Sequence, residues 1–274
     1  MNALAQSIEV KPRQVDFGFD DNLDTYFFDN DAFKTSLIAA LSSVFPEGER
    51  FFIRSVRNYQ DQIKDPVLRQ QIRGFIGQEA HHGKQHEEIN ELFEKLGYEV
   101  KLFDRMTKRD MQTLGRLLPK AHQLAVTTGL EHFTAILAHQ ILSDEKVTEG
   151  MDEKVKNLFF WHAVEETEHK AVAYDVFQEV SGSYFIRTLV MLFVSIGFIF
   201  GIFGIQCYML YKKRELFKAK TWKSAWQFLF GKVGLARNLA SDYFEYYRPS
   251  FHPWDQDNSS IVKNMQTQLS SWAA

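Results

Sequence analysis

The sequence predicts an all-α protein, built as a four-helix bundle with one long crossover and followed by a hydrophobic helical segment. Three observations support this prediction. Apolar residues recur at helical spacing along four segments, and short and long connections alternate between those segments. After the fourth segment, 24 residues pass without a charge or a histidine. A chain of 274 residues, 45% of them hydrophobic, can bury one large core and still carry an appendage.

Charge and cysteine content exclude several classes of function. The formal charge of −3 and the isoelectric point near 6.3 give no basic excess for nucleic acid. The single cysteine, Cys207, excludes an internal disulfide framework and a cysteine-based zinc or iron–sulfur site within one chain. Any bound metal should therefore have histidine and carboxylate ligands. The first residues lack a basic segment followed by an apolar run, so we expect no secretory signal and a cytoplasmic location for the bundle.

Residues 1–30 are predicted to form an irregular N-terminal arm without a chemical role. Asp29, Asn30 or Asp31 could cap the first helix. That helix should break at Phe45–Pro46, because a residue that precedes proline avoids the helical region, and Pro46 suits the first turn of a new helix.

Two glutamates follow Pro46, and helical periodicity separates them. Glu49 shares a face with Phe52 and Val56, so we predict that it points into the core. Glu47 shares a face with Arg50 and should point outward.

The second predicted core helix runs from Pro66, after a capping Asp65, to about Leu96, with Gly97 in the C′ position. Glu79 and His82 form a Glu-x-x-His pair on its apolar face. Three glycines in this helix cost about 1 kcal/mol each against alanine, which indicates close packing or the approach of a ligand at those positions. They are Gly74, Gly77 and Gly83.

Residues 98–115 have mixed composition and are long enough to form the crossover. The third predicted core helix extends from about residue 116 to 142, and Glu131 lies on its narrow face of small residues. After a polar turn, the fourth should extend from residue 151 to 180.

The fourth helix carries His162, Glu166 and His169 at positions i, i+4 and i+7, which stack along one helical face. That face continues into apolar residues, so the three side chains should point into the core. Glu165 could replace Glu166, because it lies four residues before His169, but it does not share the helical face that contains His162.

Taken in order, the four helices present one Glu, a Glu-x-x-His, one Glu and a second Glu-x-x-His. Ferritin-like bundles that hold two irons have this arrangement, with all ligands pointing inward. We therefore predict a ferritin-like bundle over residues 31–183 that binds two metal ions. His86 is a further candidate ligand, but it, His81 and His132 are more typical of supporting, surface or core histidines. The predicted ligands are Glu49, Glu79, His82, Glu131, His162, Glu166 and His169.

The motifs at residues 45–49, 78–82 and 161–169 together resemble a bacterial family described as a predicted metal-dependent hydrolase, whose members have a ferritin-like pattern. The resemblance covers about residues 30–180. The spacing of His162, Glu166 and His169 is also similar to that of the p-aminobenzoate N-oxygenase group. In those di-iron enzymes an extra histidine, one turn before the last Glu-x-x-His, ligates one iron, and His162 falls at that position.

The predicted ligand set suits iron, with manganese or a mixed iron and manganese pair as alternatives. A site sunk among four helices favours an oxidase or oxygenase that uses dioxygen and an electron donor to oxidise a small lipophilic substrate. Two alternatives stay open. Two metals could activate a water for hydrolysis, or the protein could be a ferroxidase or iron-binding protein.

Residues 184–248 form the predicted hydrophobic segment. Its uncharged run, residues 188–211, is long enough to span a bilayer, and Gly197 and Gly201 would allow close helix packing. A buried helix, or a hairpin broken near Gly201 to Gly204, is the alternative. Basic residues at 212–223 should lie on the cytosolic side, so we expect a re-entrant or in-plane segment at the cytoplasmic face of the inner membrane. Residues 249–274 should form a tail, and a homodimer is compatible with these patterns.

Overall fold

The structure is a computed structural model that describes residues 3–269. Within this range the chain forms helices and loops without a strand, and Phe28 and Met151 make an isolated antiparallel bridge. The predicted all-α class is confirmed. Residues 1, 2 and 270–274, at the ends of the predicted arm and tail, lie outside the described residues. The helices are α1 (Ala3–Ser7), α2 (Ala32–Arg57), α3 (Pro66–Lys95), α4 (Val100–Leu117), α5 (Lys120–Ser143), α6 (Glu153–His169), α7 (Val172–Val180), α8 (Tyr184–Lys212), α9 (Ala219–Leu229), α10 (Leu235–Glu245) and α11 (Ser259–Leu269).

Four long helices surround the centre of the molecule. Helix α2 packs against α3 and α5, and α6 packs against the same two helices. Helix α4 forms part of the predicted crossover and lies on α2, while α8 lies on α2 and α5. Two apolar clusters fill the core, and polar residues separate them. Along α3, Phe75 belongs to one cluster and Phe93 to the other, with Glu79 and His82 between them.

The predicted helix break at Phe45–Pro46 is wrong, because α2 continues through Pro46. A proline inside a helix removes the N–H that would bond to the carbonyl four residues earlier. Here that carbonyl belongs to Ser42, and it accepts a hydrogen bond from Asn90 Nδ2 of α3 at 3.0 Å instead. The helix therefore keeps its buried carbonyl satisfied. Asp31 is the cap, accepting a hydrogen bond from Lys34 N at 2.9 Å.

The predicted fourth core helix is divided in two, with α6 ending at His169 and α7 starting at Val172. The division coincides with Lys170, whose ammonium leaves the bundle to donate to Gln256 O and Asn258 Oδ1, both at 2.8 Å. It also lies over the ring of Trp254. The third helix begins at Lys120, four residues later than predicted, because Pro119 precedes it.

Helix α8 is long and apolar enough to cross a membrane by length and composition. It is continuous through Gly197, Gly201 and Gly204, so a hairpin broken at these glycines is wrong. One side of α8 packs on the bundle, but only 17% of its most apolar stretch is buried. A fully buried helix is therefore also wrong for this segment.

Candidate metal centre

Seven polar side chains from four helices meet between the two apolar clusters, and they are the seven predicted ligands. His169 Nε2 lies 3.1 Å from Glu79 Oε1, and 3.5 Å from both Glu131 Oε2 and Glu166 Oε2. His82 Nδ1 lies 3.6 Å from Glu166 Oε1. His162 Nε2 lies near the same oxygen, 2.8 Å from Glu166 Oε1, and 3.9 Å from Glu49 Oε1.

These side chains are almost completely buried, and most of their inward atoms lack a hydrogen-bond partner within residues 3–269. The atoms without a partner are both carboxylate oxygens of Glu49, Glu79 and Glu131, Oε2 of Glu166, Nδ1 of His82 and Nε2 of His169. Buried polar atoms without partners are costly unless an ion satisfies them. Glu166 belongs to two sets of three donors that lie within 4.8 Å of one another, one with His82 and His162 and one with Glu79 and His169. The donor set therefore fits two cations that share Glu166.

Hydrogen bonds at the nitrogens that face away from the centre, Nδ1 of His169 and Nε2 of His82, orient these two imidazoles. Gln78 Nε2 donates to Glu168 Oε2 at 2.7 Å, so its Oε1 must be the acceptor for His169 Nδ1 at 2.8 Å. His82 Nε2 lies 3.1 Å from Glu165 Oε2. Burial raises the pKa of Glu165 to about 8, while Arg13, which donates to Glu165 Oε1 at 3.1 Å, favours its ionised form. An ionised carboxylate only accepts, so each imidazole can carry one proton on its outer nitrogen and offer the inner nitrogen to a metal. Histidine ligands of metals are usually held in this way.

His162 is oriented by a longer chain of hydrogen bonds. Ser42 Oγ donates to Asn90 Oδ1 at 2.8 Å, so it accepts from His86 Nδ1, also at 2.8 Å. His86 Nε2 then accepts from His162 Nδ1 at 2.7 Å. His162 Nε2 makes a hydrogen bond with Glu166 Oε1 at 2.8 Å, and it is the nitrogen of His162 that a metal could bind in place of this contact. The chain of hydrogen bonds places His86 behind His162, as a histidine that supports a candidate ligand.

Burial and mutual repulsion dominate the electrostatics. Burial first, then the neighbouring carboxylates, raises the pKa of Glu49 and of Glu131 well above the usual value. Burial opposes ionisation of Glu166 too, but the imidazoles of His169 and His162 hold the pKa of Glu166 well below its usual value. Burial lowers the pKa of His82 and of His86. So many carboxylates can be ionised together only if positive charge lies among them.

The other predicted residues lie away from the centre. His132 is a core histidine whose Nε2 lies 3.1 Å from Asp242 O, and burial lowers its pKa to about 4. His81 lies on the outer part of α3, half-buried. Glu47 lies outside the centre and pairs with Arg50 at 2.7 Å, but it is buried, so the exposed position expected from its periodicity is wrong. Glu165, the alternative to Glu166, lies behind His82.

Arg13 of the N-terminal arm was not predicted to take part in the site. It binds Glu165, which contacts His82, and Glu168, which accepts a hydrogen bond from Gln78. Its guanidinium donates to Glu168 at 2.6 and 2.8 Å and to Glu165 at 3.1 Å. The arm can lie this close because Gly74 and Gly77 of α3 leave space for it. A Cβ on Gly74 would come within 2.0 Å of Val10 O. The arm therefore has a role at the site, and the close packing predicted for these glycines is confirmed.

We expect Arg13→Met to weaken metal binding by about 10- to 100-fold, the usual cost of removing a group that orients metal ligands. Without the guanidinium, Glu165 and Glu168 would repel each other and lose their fixed positions beside His82 and Gln78. Competition with a chromophoric chelator measures the affinity. Lys11→Met is the matched control, since it removes one positive charge from the same arm at an exposed side chain. Equal affinities in the two variants would show that the arm does not orient the ligands.

A cavity of about 1030 Å³ leads to the centre from one side. Glu49, His162 and Glu166 form its inner end, and its walls are apolar side chains, chiefly of α4 and α8. A site reached through an apolar passage excludes water and strengthens the electrostatic interactions inside it.

Comparison with known proteins places these observations in a family. The family described as "Predicted metal-dependent hydrolase" matches residues 11–257 and so includes residues 11–30 of the arm, the four site helices and the apolar helix α8. No curated protein and no solved structure matches the chain. The description agrees with a metal-dependent enzyme, and with the hydrolase alternative more closely than with dioxygen chemistry. The chain belongs to this family of predicted metal-dependent hydrolases.

Proposed function

We propose that this protein is a two-metal enzyme that acts on an apolar organic substrate, and that its metals are iron. Glu79, Glu131, Glu166, His82 and His169 would hold the pair together with Glu49 and His162. The carboxylate and imidazole donors are of the types that suit iron and manganese, and all are buried. A resident iron pair would supply redox chemistry with dioxygen, which no side chain can perform.

The observation that carries an oxidative function is the apolar cavity that ends on Glu49, His162 and Glu166. A hydrocarbon group is a poor substrate for hydrolysis but an ordinary one for oxidation. Insertion of one oxygen atom from dioxygen into a C–H bond, with the second atom leaving as water, consumes two electrons and two protons. An external electron donor would therefore be a further partner. The chain's own residues place the substrate and keep bulk water out.

Hydrolysis is the second candidate, and the family description favours it. In this reaction the two ions would lower the pKa of a water that attacks an ester or amide carbonyl. Glu49, at the inner end of the cavity, would be the carboxylate placed to take the proton of that water. The apolar cavity would then hold the acyl chain of a lipophilic ester. Iron storage or ferroxidase activity is a third class, but it leaves the cavity without a use.

We propose a location at the cytoplasmic face of a membrane. The apolar helix α8 supports membrane association, and the basic run after it supports the cytosolic side. A membrane would also be the natural source of a lipophilic substrate.

Metal analysis and oxygen consumption together test the proposal. We expect aerobically purified protein to contain two irons per chain, and the ferrous form to consume dioxygen and give a transient visible band on mixing with it. Tight binding of zinc or manganese, no oxygen consumption and cleavage of a long-chain p-nitrophenyl ester would favour hydrolysis instead. Absence of any stoichiometric metal would overturn both candidates.

A further inference from the structure

Helix α8 packs on α2 and α5 of the bundle, and hydrogen bonds hold it near both ends. Near its N-terminal end, the buried Arg187 donates to the carbonyls of Tyr246 and Arg248. Near its C-terminal end, Gln206 Nε2 donates to Phe33 O at 3.0 Å. If α8 crossed a bilayer, the charged bundle beside it would enter the hydrocarbon as well, which is prohibitive. The helix is therefore placed to lie along a surface.

The outward side of α8 is apolar and exposed. Phe185 is 71% exposed, Phe193 64% and Phe200 69%, and Trp226 of α9 is 66% exposed. Scattered exposed apolar residues are normal in soluble proteins, but a continuous patch of this kind marks an interaction surface.

The entrance of the cavity lies in this patch, between α4 and α8. Met106, Phe193 and Phe200 line the cavity and are also exposed. Gly197, Gly201 and Gly204 line it too, and a Cβ added to any of them would meet nothing within 4 Å. The predicted role of the first two in close helix packing is therefore not seen within residues 3–269. These glycines keep the passage wide.

Positive charge borders the patch. The segment 99–120, which contains α4, has six basic and three acidic residues, and the segment 212–223 has six basic and one acidic. The two segments adjoin, since Lys212 Nζ lies 2.6 Å from Glu99 Oε1. The chain as a whole has a net charge of −3, so the basic excess is local. An apolar patch with a basic border is complementary to an anionic phospholipid surface.

We propose that α8 lies in the plane of an anionic membrane, with its outward phenylalanines in the acyl layer, and that the substrate passes from the lipid between α4 and α8 to the centre. The position of α8 in a membrane is inferred from the exposed apolar patch and the basic segments that border it. The route for the substrate rests on the proposed function, because it assumes an apolar substrate. A protein that binds its substrate from the bilayer avoids the cost of taking an apolar molecule through water.

Vesicle flotation tests the membrane surface. We expect the wild-type protein to float with vesicles of phosphatidylcholine and phosphatidylglycerol, and to bind pure phosphatidylcholine more weakly. The double variant Phe193→Gln, Phe200→Gln should lose about tenfold or more in vesicle affinity. Val67→Gln is the control, since Val67 is an exposed apolar residue on α3. Equal flotation of the double variant and the wild type would overturn the proposal. So would a stable dimer by analytical ultracentrifugation that is lost only in the double variant, since the patch would then bind a second copy.

Filling the passage tests the route. Gly201→Phe should reduce binding of the fluorescent fatty acid cis-parinaric acid at least fivefold, while metal content and vesicle flotation stay unchanged. Gly115→Phe on α4 is the matched control, because a Cβ there also meets nothing within 4 Å and Gly115 does not line the cavity. Equal probe binding in both variants would overturn the route.

The two proposals fail separately, because neither flotation nor probe binding depends on metal chemistry. Protein that floats and binds the probe but holds no metal would overturn the proposed function and keep the membrane surface. Protein that holds two irons and consumes oxygen but does not float would do the reverse.

Discussion

Glu166→Ala should reduce the metal content from two ions per chain to none. Glu166 is the carboxylate shared by both halves of the centre, with Oε1 near His82 and His162 and Oε2 near His169. Loss of Glu166 breaks both the set that contains His82 and His162 and the set that contains Glu79 and His169, so neither half keeps its three donors. Oxygen consumption or ester cleavage should disappear with the metal. Inductively coupled plasma mass spectrometry of the purified variant gives the metal content directly.

Two further variants make this result interpretable. Glu166→Gln keeps the side-chain volume and removes the charge, so its loss of metal cannot be attributed to a cavity in the core. Glu153→Ala changes an exposed glutamate in the first turn of the same helix and should keep both ions. Unchanged helicity by circular dichroism would show that all three variants fold. If Glu166→Ala retains two ions per chain, the assignment of the centre to these residues is wrong.

The four site helices could be read from the sequence because helical periodicity fixes which residues share a face. Glu79 and His82 are separated by one turn, as are Glu166 and His169, so each pair points the same way whatever the packing. Periodicity also separated Glu49 from Glu47, since the two differ in their apolar neighbours. The inward direction of these side chains thus needed only local information.

The groups that orient the histidines could not be read in this way. Arg13 reaches Glu165 and Glu168 from more than 150 positions away along the chain, and nothing in the local pattern of residues 1–30 marks it. The helix break predicted at Pro46 failed for the same reason. Local rules break a helix at proline, but Asn90 of α3 satisfies the carbonyl that proline leaves free. Both features depend on contacts between distant segments.

The surroundings of helix α8 also could not be predicted from the sequence. Its composition predicts contact with an apolar environment, but a bilayer, a protein core and a partner all satisfy that pattern equally. Only the packing distinguishes them, because Arg187 and Gln206 fix which side faces the bundle. Gly197 and Gly201 were predicted to allow close helix packing, and they instead line the cavity.

Removal of the metals should make the stability of the protein fall as pH rises above neutrality. Burial and neighbouring carboxylates raise the pKa of Glu49 and of Glu131 well above the usual value, and burial first raises that of Glu79 as well. A group with a raised pKa in the folded state binds more protons folded than unfolded, so its contribution is present at low pH and is lost as pH rises. The nearby glutamates raise the pKa of His169, against its burial, and act in the same direction.

Between about pH 7 and pH 8.5 two groups outside the centre also titrate, with opposite effects on stability. Burial raises the pKa of Glu165 to about 8, so its contribution is lost as pH rises, whereas burial lowers the pKa of Lys170 to about 7, so its contribution increases as pH rises. His82 and His86 have lowered pKa values and are neutral in both the folded and the unfolded states above pH 7, while Glu166 is ionised in both. A group that binds one more proton in the folded state than in the unfolded state throughout this interval changes the free energy of unfolding by about 2 kcal/mol. The melting temperature of the chelator-treated protein should therefore fall by about 4 °C or more, as followed by differential scanning fluorimetry.

The metal-loaded protein should change little over the same interval, because metal binding displaces the protons from the carboxylates. The difference in melting temperature between loaded and chelator-treated protein should consequently widen with pH. Glu131→Gln should flatten the fall in the treated protein, since glutamine does not titrate, whereas Glu88→Gln at an exposed position should not. A treated protein whose stability rises from pH 7 to pH 8.5 would mean that the carboxylates are ionised without the metals. Their charge would then have to be balanced by the chain itself, and the main physical argument for two cations at this site would be lost.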